Sequence, residues 1–184
     1  MSDHPPPQEV SGTRLRLRLV RPDDSDYIHS LRVDPSYNTY LSTVNGTAED
    51  QRRWIEAYKA REAAGSEYYY VIERRDDRRP CGVLRLYEIK HDQFTWGSWI
   101  LDANKPPKAA LESALLSFGI GFGPLGKSVA RIDVRQDNRH ATAFYRRFGM
   151  QETGRDDLNV YFSYSSAQYR ADRERHLVVV EGRT

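Results

Sequence analysis

The sequence predicts an α/β fold: an α+β mixed sheet with helices on both faces, in the order β-α-α-β-β-β-α-β-α-β. Two observations carry this prediction. Between residues 67 and 101, three strand-like segments rich in aromatics follow one another across short charged turns, as in an antiparallel meander. After them a long helical pattern, an alternating strand, a short amphipathic helix and another strand come in turn, as in βαβ units.

Leu15, Leu17 and Leu19 alternate with Arg14, Arg16 and Arg18, so the first strand is expected to be half-buried with one charged face. Pro22 opens a helix, because proline is tolerated at the first helical position. Tyr27, Ile28 and Leu31 form its apolar face, and Asp34-Pro35 stops it. Thr47 can cap a second helix, with Asp50 at the capping-box position. Trp54, Ile55 and Tyr58 are expected to face inward there, and Gly65 to end it. Strands at 67–73 and 82–89 flank the charged turn 74–80, and a third strand at 94–101 follows the turn 90–93. A long helix over about 107–122 carries Leu111, Leu115 and Phe118 on one side, and Gly123-Pro124-Leu125-Gly126 breaks it. A strand at 129–135, a helix at 140–148 and a strand at 159–164 complete the domain. The short helix shows an apolar face at Ala141, Phe144 and Phe148 and ends at Gly149.

The domain is expected to span 13–165, after a flexible tail at 1–12 and before an extension at 166–184. The tail has three consecutive prolines and no apolar run, unlike a signal peptide. The extension is read as an added strand, either at a sheet edge or at a dimer contact. Among 184 residues, 39% are hydrophobic and 29% charged, which suits one globular domain. No run of about 18 apolar residues offers a membrane span. Cys81 is the only cysteine, which excludes an intrachain disulfide and makes a cytoplasmic location the default. Lys+Arg 28 against Asp+Glu 26 is too balanced to argue for nucleic acid or an anionic membrane. No CxxC, HExxH or His/Asp cluster suggests a metal site.

The segment from Asp137 to Met150 is the most informative stretch. Asn138, Ala141, Phe144, Tyr145, Arg147 and Gly149 are spaced as Asn-x-x-Ala-x-x-Phe-Tyr-x-Arg-x-Gly, with Met150 where an aromatic usually follows. This resembles the end of the core of the GNAT family of N-acetyltransferases, whose element order is also similar over about residues 14–164. The Arg21-Pro22 junction, the two-helix excursion with Trp54, the Gly82-led strand and Trp96-Gly97-Ser98-Trp99 are similar to one branch of that family. The branch includes ribosomal-protein N-terminal and nucleotide-linked amino-sugar acetyltransferases.

The resemblance implies acetyl-CoA as acyl donor, no metal, and a small-molecule or peptide amine as acceptor. A homodimer is common in the family. The strand at 94–101 would splay from its neighbour and pair with the pantetheine arm near Trp99, Ile100 and Leu101. The pyrophosphate would sit at the next helix N-terminus, where free amides and the helix dipole favour anions. The family's loop there reads Arg/Gln-x-x-Gly-x-Gly/Ala; here it is Lys105-Pro106-Pro107-Lys108-Ala109-Ala110. Lys105 stands for the basic residue and Ala110 for the last small one, while Lys108 replaces a glycine. Either Lys108 places a cation near the phosphates, or the loop is eroded and binding is lost.

Tyr145 would serve as general acid for the thiolate; its other reading is a core aromatic. Phe144 already faces the interior, and adjacent helical residues point about 100° apart, which disfavours burial of both. Asn138 would bond the pantetheine arm or cap its helix. The general base is open among Glu88, His91, Asp92, Glu112 and an ordered water, and each of these residues also reads as an ordinary surface or helix residue. Ser98 can orient the substrate amine or be a satisfied strand hydroxyl. Tyr68-Tyr69-Tyr70, Tyr87, Trp96 and Trp99 pack the sheet or wall an acceptor pocket. Residues 34–47 contain only Asp34 as an acid, which leans the acceptor toward an amino sugar on a nucleotide rather than a basic protein terminus. A non-catalytic binding module on the same fold is the alternative from another class.

Overall fold

A computed structural model describes residues 5–183. Its strands are β1 Glu9–Ser11, β2 Leu15–Leu19, β3 Tyr68–Arg74, β4 Pro80–Lys90, β5 Gln93–Leu101, β6 Val129–Arg135, β7 Gln151–Arg155 and β8 Asn159–Ser165. Its helices are α1 Ser25–Val33, α2 Pro35–Asn38, α3 Ala48–Ala63, α4 Ala109–Phe122, α5 Arg139–Phe148 and α6 Ser166–Glu181. One sheet holds all eight strands in the order β1-β2-β3-β4-β5-β6-β8-β7. Every neighbouring pair is antiparallel except β5–β6.

Both faces of the sheet are covered, and β3 shows why its residues read as one apolar run. Tyr68, Tyr70 and Ile72 join the larger core with Phe94, Trp96 and Phe118, while Tyr69 and Val71 join a second core with Ile28, Ile55 and Tyr58. Successive side chains point to opposite faces, so both sets must be apolar. Thr47 and Asp50 form the expected capping box at the start of α3.

The structure departs from the sequence reading at several places. Within the expected tail, β1 pairs with β2 as an edge strand, and Leu19 N donates to Gln8 O at 2.9 Å. The open edge of β2 needs partners for its backbone groups, and the neighbouring chain supplies them. Residues 1–4 lie outside the described residues. The charged face of β2 is not solvated: Arg18 is buried and bonds Glu73 and both oxygens of Asp24. These bonds raise the Arg18 pKa, led by Asp24. Trp54 is 37% exposed rather than inward, stacked on Tyr58. β7 was not expected, because Gln-Glu-Thr-Gly-Arg is exposed throughout and has no apolar alternation. Residues 166–181 form a helix, not an edge strand. Tyr169 donates to Leu115 O on α4 at 3.3 Å, and the His176 ring stacks on Phe148 at 4.4 Å. No described helix is long and apolar enough to cross a membrane.

Gly82 faces Leu101 where β4 meets the end of β5, and a Cβ there would lie 2.3 Å from the Ile100 carbonyl oxygen. A ladder carbonyl cannot retreat without opening the strand pair. Gly82→Ala is therefore expected to cost about 1–3 kcal/mol, read as a lower midpoint of thermal unfolding. An unchanged midpoint would show that β5 yields here.

Candidate active site

The site begins where β5 leaves β6. The two strands pair at Gln93–Val129, Phe94–Ala130 and Thr95–Arg131, and then part. On its other side β5 is bulged, since its register with β4 shifts between Val83–Ile100 and Arg85–Gly97. Ser98 lies in the bulge with φ +50, a left-handed conformation uncommon outside glycine. Past Thr95 the outer edge of β5 has no strand partner among the described residues. A cleft of about 160 Å³ fills the gap, walled by Ser98, Trp99, Asp133, Asn138, Tyr145 and Tyr40 among others.

Tyr145 projects from α5 and is buried, at 6% exposure. Its ring meets Trp96 edge-on at 6.0 Å and Phe162 at 5.6 Å. The inward face of α5 is therefore Thr142, Tyr145 and Phe148, not the expected Ala141, Phe144 and Phe148. Phe144 is half-buried at the flank, against Trp99 at 5.1 Å. Tyr145 thus packs as a core aromatic and also lines the cleft, and no described residue hydrogen-bonds its hydroxyl. Burial raises its pKa, with the charge of Asp133 adding to the effect. The phenol stays protonated at neutral pH, as a proton donor must be.

Asn138 caps α5, its Oδ1 accepting from Ala141 N at 3.1 Å. That use leaves the Nδ2 donors for the cleft it lines. Trp99 bridges β5 to α4, its Nε1 donating to Ser113 Oγ at 3.2 Å. Ile100 packs in the second core and Leu101 in the first, so both reach the cleft edge only through backbone. The Ser98 hydroxyl lies 3.4 Å from Arg85 Nη1.

Asp133 was not singled out in the sequence. It is the one carboxylate lining this cleft among the described residues. Ala130, Ile132 and Val134 face the core, so alternation turns Asp133 to the opposite face of β6. Its pKa is raised, first by desolvation and then by the nearby charge of Glu88. Alternation could have put Asp133 on that face; the parting of β5 and β6 that opens it to the cleft has no signature in composition or spacing.

Three other candidates stand apart from Tyr145. Glu88 is exposed in a β4 irregularity, accepts from Thr95 Oγ1 at 2.8 Å, and lines a neighbouring hollow that shares Asp133 with the cleft. His91 occupies an exposed turn at φ +48, its carbonyl accepting from Lys127 Nζ at 2.8 Å. Glu112 is buried beneath the start of β2, its Oε1 accepting from Arg14 N at 2.9 Å and Leu15 N at 3.2 Å.

The start of α4 fits a phosphate group. Ala109 N donates to Pro106 O at 3.3 Å and Glu112 N to Lys108 O at 2.9 Å. The amides of Ala110 and Leu111 between them have no acceptor among the described residues, which is the free-donor arrangement that binds anions. Lys108 is the N-cap residue at φ +66. The left-handed backbone explains why glycine suits this position: a lysine can adopt it at a cost of about 1 kcal/mol. Lys108 holds the left-handed conformation itself, and it is exposed at the position just before α4. Lys105 is exposed, with Nζ 3.4 Å from Asp102 O.

Lys108→Gly is expected to leave thermal stability unchanged or raise it by about 1 kcal/mol, whereas Lys108→Val lowers it. Equal unfolding midpoints for the glycine and valine variants would contradict the left-handed backbone at this residue.

The sequence matches the acetyltransferase (GNAT) domain family over residues 14–151. No curated protein sequence is significantly similar. Among solved structures, apo FdhC, described as a nucleotide-linked sugar GNAT, is 36% identical with a TM-score of 0.85, over 91% of this chain and 96% of that one. The spermidine N-acetyltransferase of Vibrio cholerae, solved with CoA and spermine, is 18% identical with a TM-score of 0.75, over 86% and 99% of the two chains. The ribosomal-protein-S5-alanine acetyltransferase of Vibrio fischeri is 10% identical with a TM-score of 0.75, over 88% and 98%. The last two share the fold alone. The family match, spanning most of the chain, and the similarity to FdhC show that this protein belongs to the GNAT acetyltransferases.

Proposed function

We propose that this chain transfers an acetyl group from acetyl-CoA to the primary amine of a nucleotide-linked amino sugar. The observation that carries the acceptor is the 36% identity to a nucleotide-linked sugar GNAT across nearly the whole of both chains. GNAT enzymes use acetyl-CoA and an amine acceptor, and acetyl-CoA supplies the activated acyl group. The residues that would hold it are the free backbone edge of Gly97 to Leu101, Asn138, and the amides of Ala110 and Leu111 with Lys105 and Lys108 beside them.

The chain's own groups divide the proton work between the two walls of the cleft. Asp133 takes the proton of the amine and Tyr145 supplies one to the sulfur. Ser98, at the bulge, orients the amine through its hydroxyl. Desolvation is the first cause of the raised Asp133 pKa, and the charge of Glu88 in the neighbouring hollow adds to it. An ionised Asp133 is needed to accept a proton, so kcat falls as pH drops through its pKa. That limb lies above the ordinary aspartate range because the pKa is raised. A ribosomal-protein-type acceptor is the second reading, and it rests on shared fold only.

Acetyl transfer from acetyl-CoA to UDP- and dTDP-linked amino sugars, beside a panel of peptide α-amines, tests the acceptor. Transfer to peptides but to no nucleotide-linked amine would overturn it. Tyr145→Phe is expected to lower kcat with little change in acetyl-CoA affinity; equal losses of both would make Tyr145 structural. Asp133→Asn is expected to lower kcat by about 10²–10⁴. A variant retaining full turnover would remove Asp133 from proton transfer.

A further inference from the structure

A second cavity, of about 230 Å³, adjoins the cleft on the helix α1 and α3 side of the sheet. Arg32, Asn45, Gln51, Trp54, Tyr69 and Arg85 line it. The 39–47 loop roofs both spaces, with Tyr40 and Leu41 over the cleft and Ser42 over the cavity. Arg85 joins them at the floor, since its Nη1 reaches Ser98 Oγ at 3.4 Å.

The charges of this cavity are incompletely matched. Arg32 is half-buried, and its Nη2 donates to Ser42 O at 3.2 Å and Ser42 Oγ at 2.9 Å, with the Tyr69 hydroxyl also within its reach. It pairs with no carboxylate among the described residues, and its Nε is buried without a hydrogen-bond partner. Arg85 gives Nη2 to Glu67, but its Nε is also buried and unpartnered. Trp54, Tyr69 and Tyr87 surround its guanidinium at 5.3, 5.6 and 4.9 Å, which holds it in place by cation–π contact. Asp50, the acid in the wall, is committed to Thr47 N at 2.8 Å and Thr47 Oγ1 at 3.0 Å, with its other oxygen 3.3 Å from Arg53.

Arg32 has no carboxylate partner among the described residues and Arg85 shares the one carboxylate of Glu67 with Arg61, so an anionic ligand would add the missing counter-charge. Guanidinium forks suit phosphate, which can take parallel N–H donors. We propose that this cavity seats a phosphate of the acceptor, held by Arg32 and Arg85, while the acceptor's amine enters the adjoining cleft at Ser98 and Asp133. The inference rests on the acceptor reading above and deepens it: a nucleoside diphosphate carrier places an anion a few bonds from the sugar amine. A cationic polyamine would instead meet two guanidinium groups.

The test titrates UDP and dTDP into full-length protein saturated with CoA, so that the seat at the start of α4 is already filled. Both nucleotides should bind saturably, and uncharged uridine should bind at least tenfold more weakly. Arg32→Gln should weaken UDP on the order of tenfold to a hundredfold, the loss of one charged hydrogen-bonding group. Arg32→Lys should recover part of that loss. Unchanged acetyl-CoA affinity would show that Arg32→Gln is folded. No UDP binding by the CoA-saturated protein, or binding indifferent to Arg32→Gln, would overturn the proposal. UDP binding in a protein that fails to bind acetyl-CoA would overturn the acetyltransferase reading and leave the phosphate seat standing.

Discussion

The one parallel contact in the sheet breaks off after three residue pairs, and the functional architecture depends on that interruption. A buried or half-buried strand edge must satisfy its N–H and C=O groups somewhere. Past Thr95 and Arg131 the two strands no longer satisfy each other, and a ligand with amide groups of its own is a natural partner. The bulge at Ser98 adds to the effect by turning β5 outward at the same point. Strand β8 keeps full register with β6 from Val129 to Arg135, so β6 stays in place while β5 departs.

The parting is held open by packing rather than by strain alone. Trp96 stacks on Phe118 of α4 at 5.0 Å, and Trp99 leans on Phe144 of α5 at 5.1 Å. Two helices thereby fix the faces of β5 on the core side. Gly121 lets α4 lie close enough for this, since a Cβ there would fall 2.2 Å from the Phe94 ring. The free N-terminal amides of α4 follow the end of β5 in the chain, after the loop 102–108. One helix therefore braces the cleft and offers an anion seat, and its position is set by the aromatic layer beneath it.

Much of this was legible in the residues. β6 matches the alternating pattern of 129–135 to the residue, and the Thr47–Asp50 capping box and the Gly149 stop appear as read. Tyr145, Asn138, Ser98 and Trp99, chosen from motif positions, all line one cleft. The unread parts have physical causes. β1 and β7 are edge strands, too short or too polar to show alternation. Helix α6 buries only a narrow stripe, Asp172, His176 and Val180, which no apolar pattern announces. Asp133 escaped notice because an acid in an alternating strand looks the same on a solvated face as at a cleft. Glu88 drew notice for lying amid apolar residues, yet an irregularity in β4 turns it toward Thr95.

The most direct test of the open edge is amide hydrogen exchange with and without acetyl-CoA, followed residue by residue. The account predicts new protection at backbone amides within 97–101 and at Ala110 and Leu111, with little change along β7 and β8. Protection confined to other regions, or none at saturating acetyl-CoA, would contradict the claim that the interrupted β5–β6 pairing is where the donor binds.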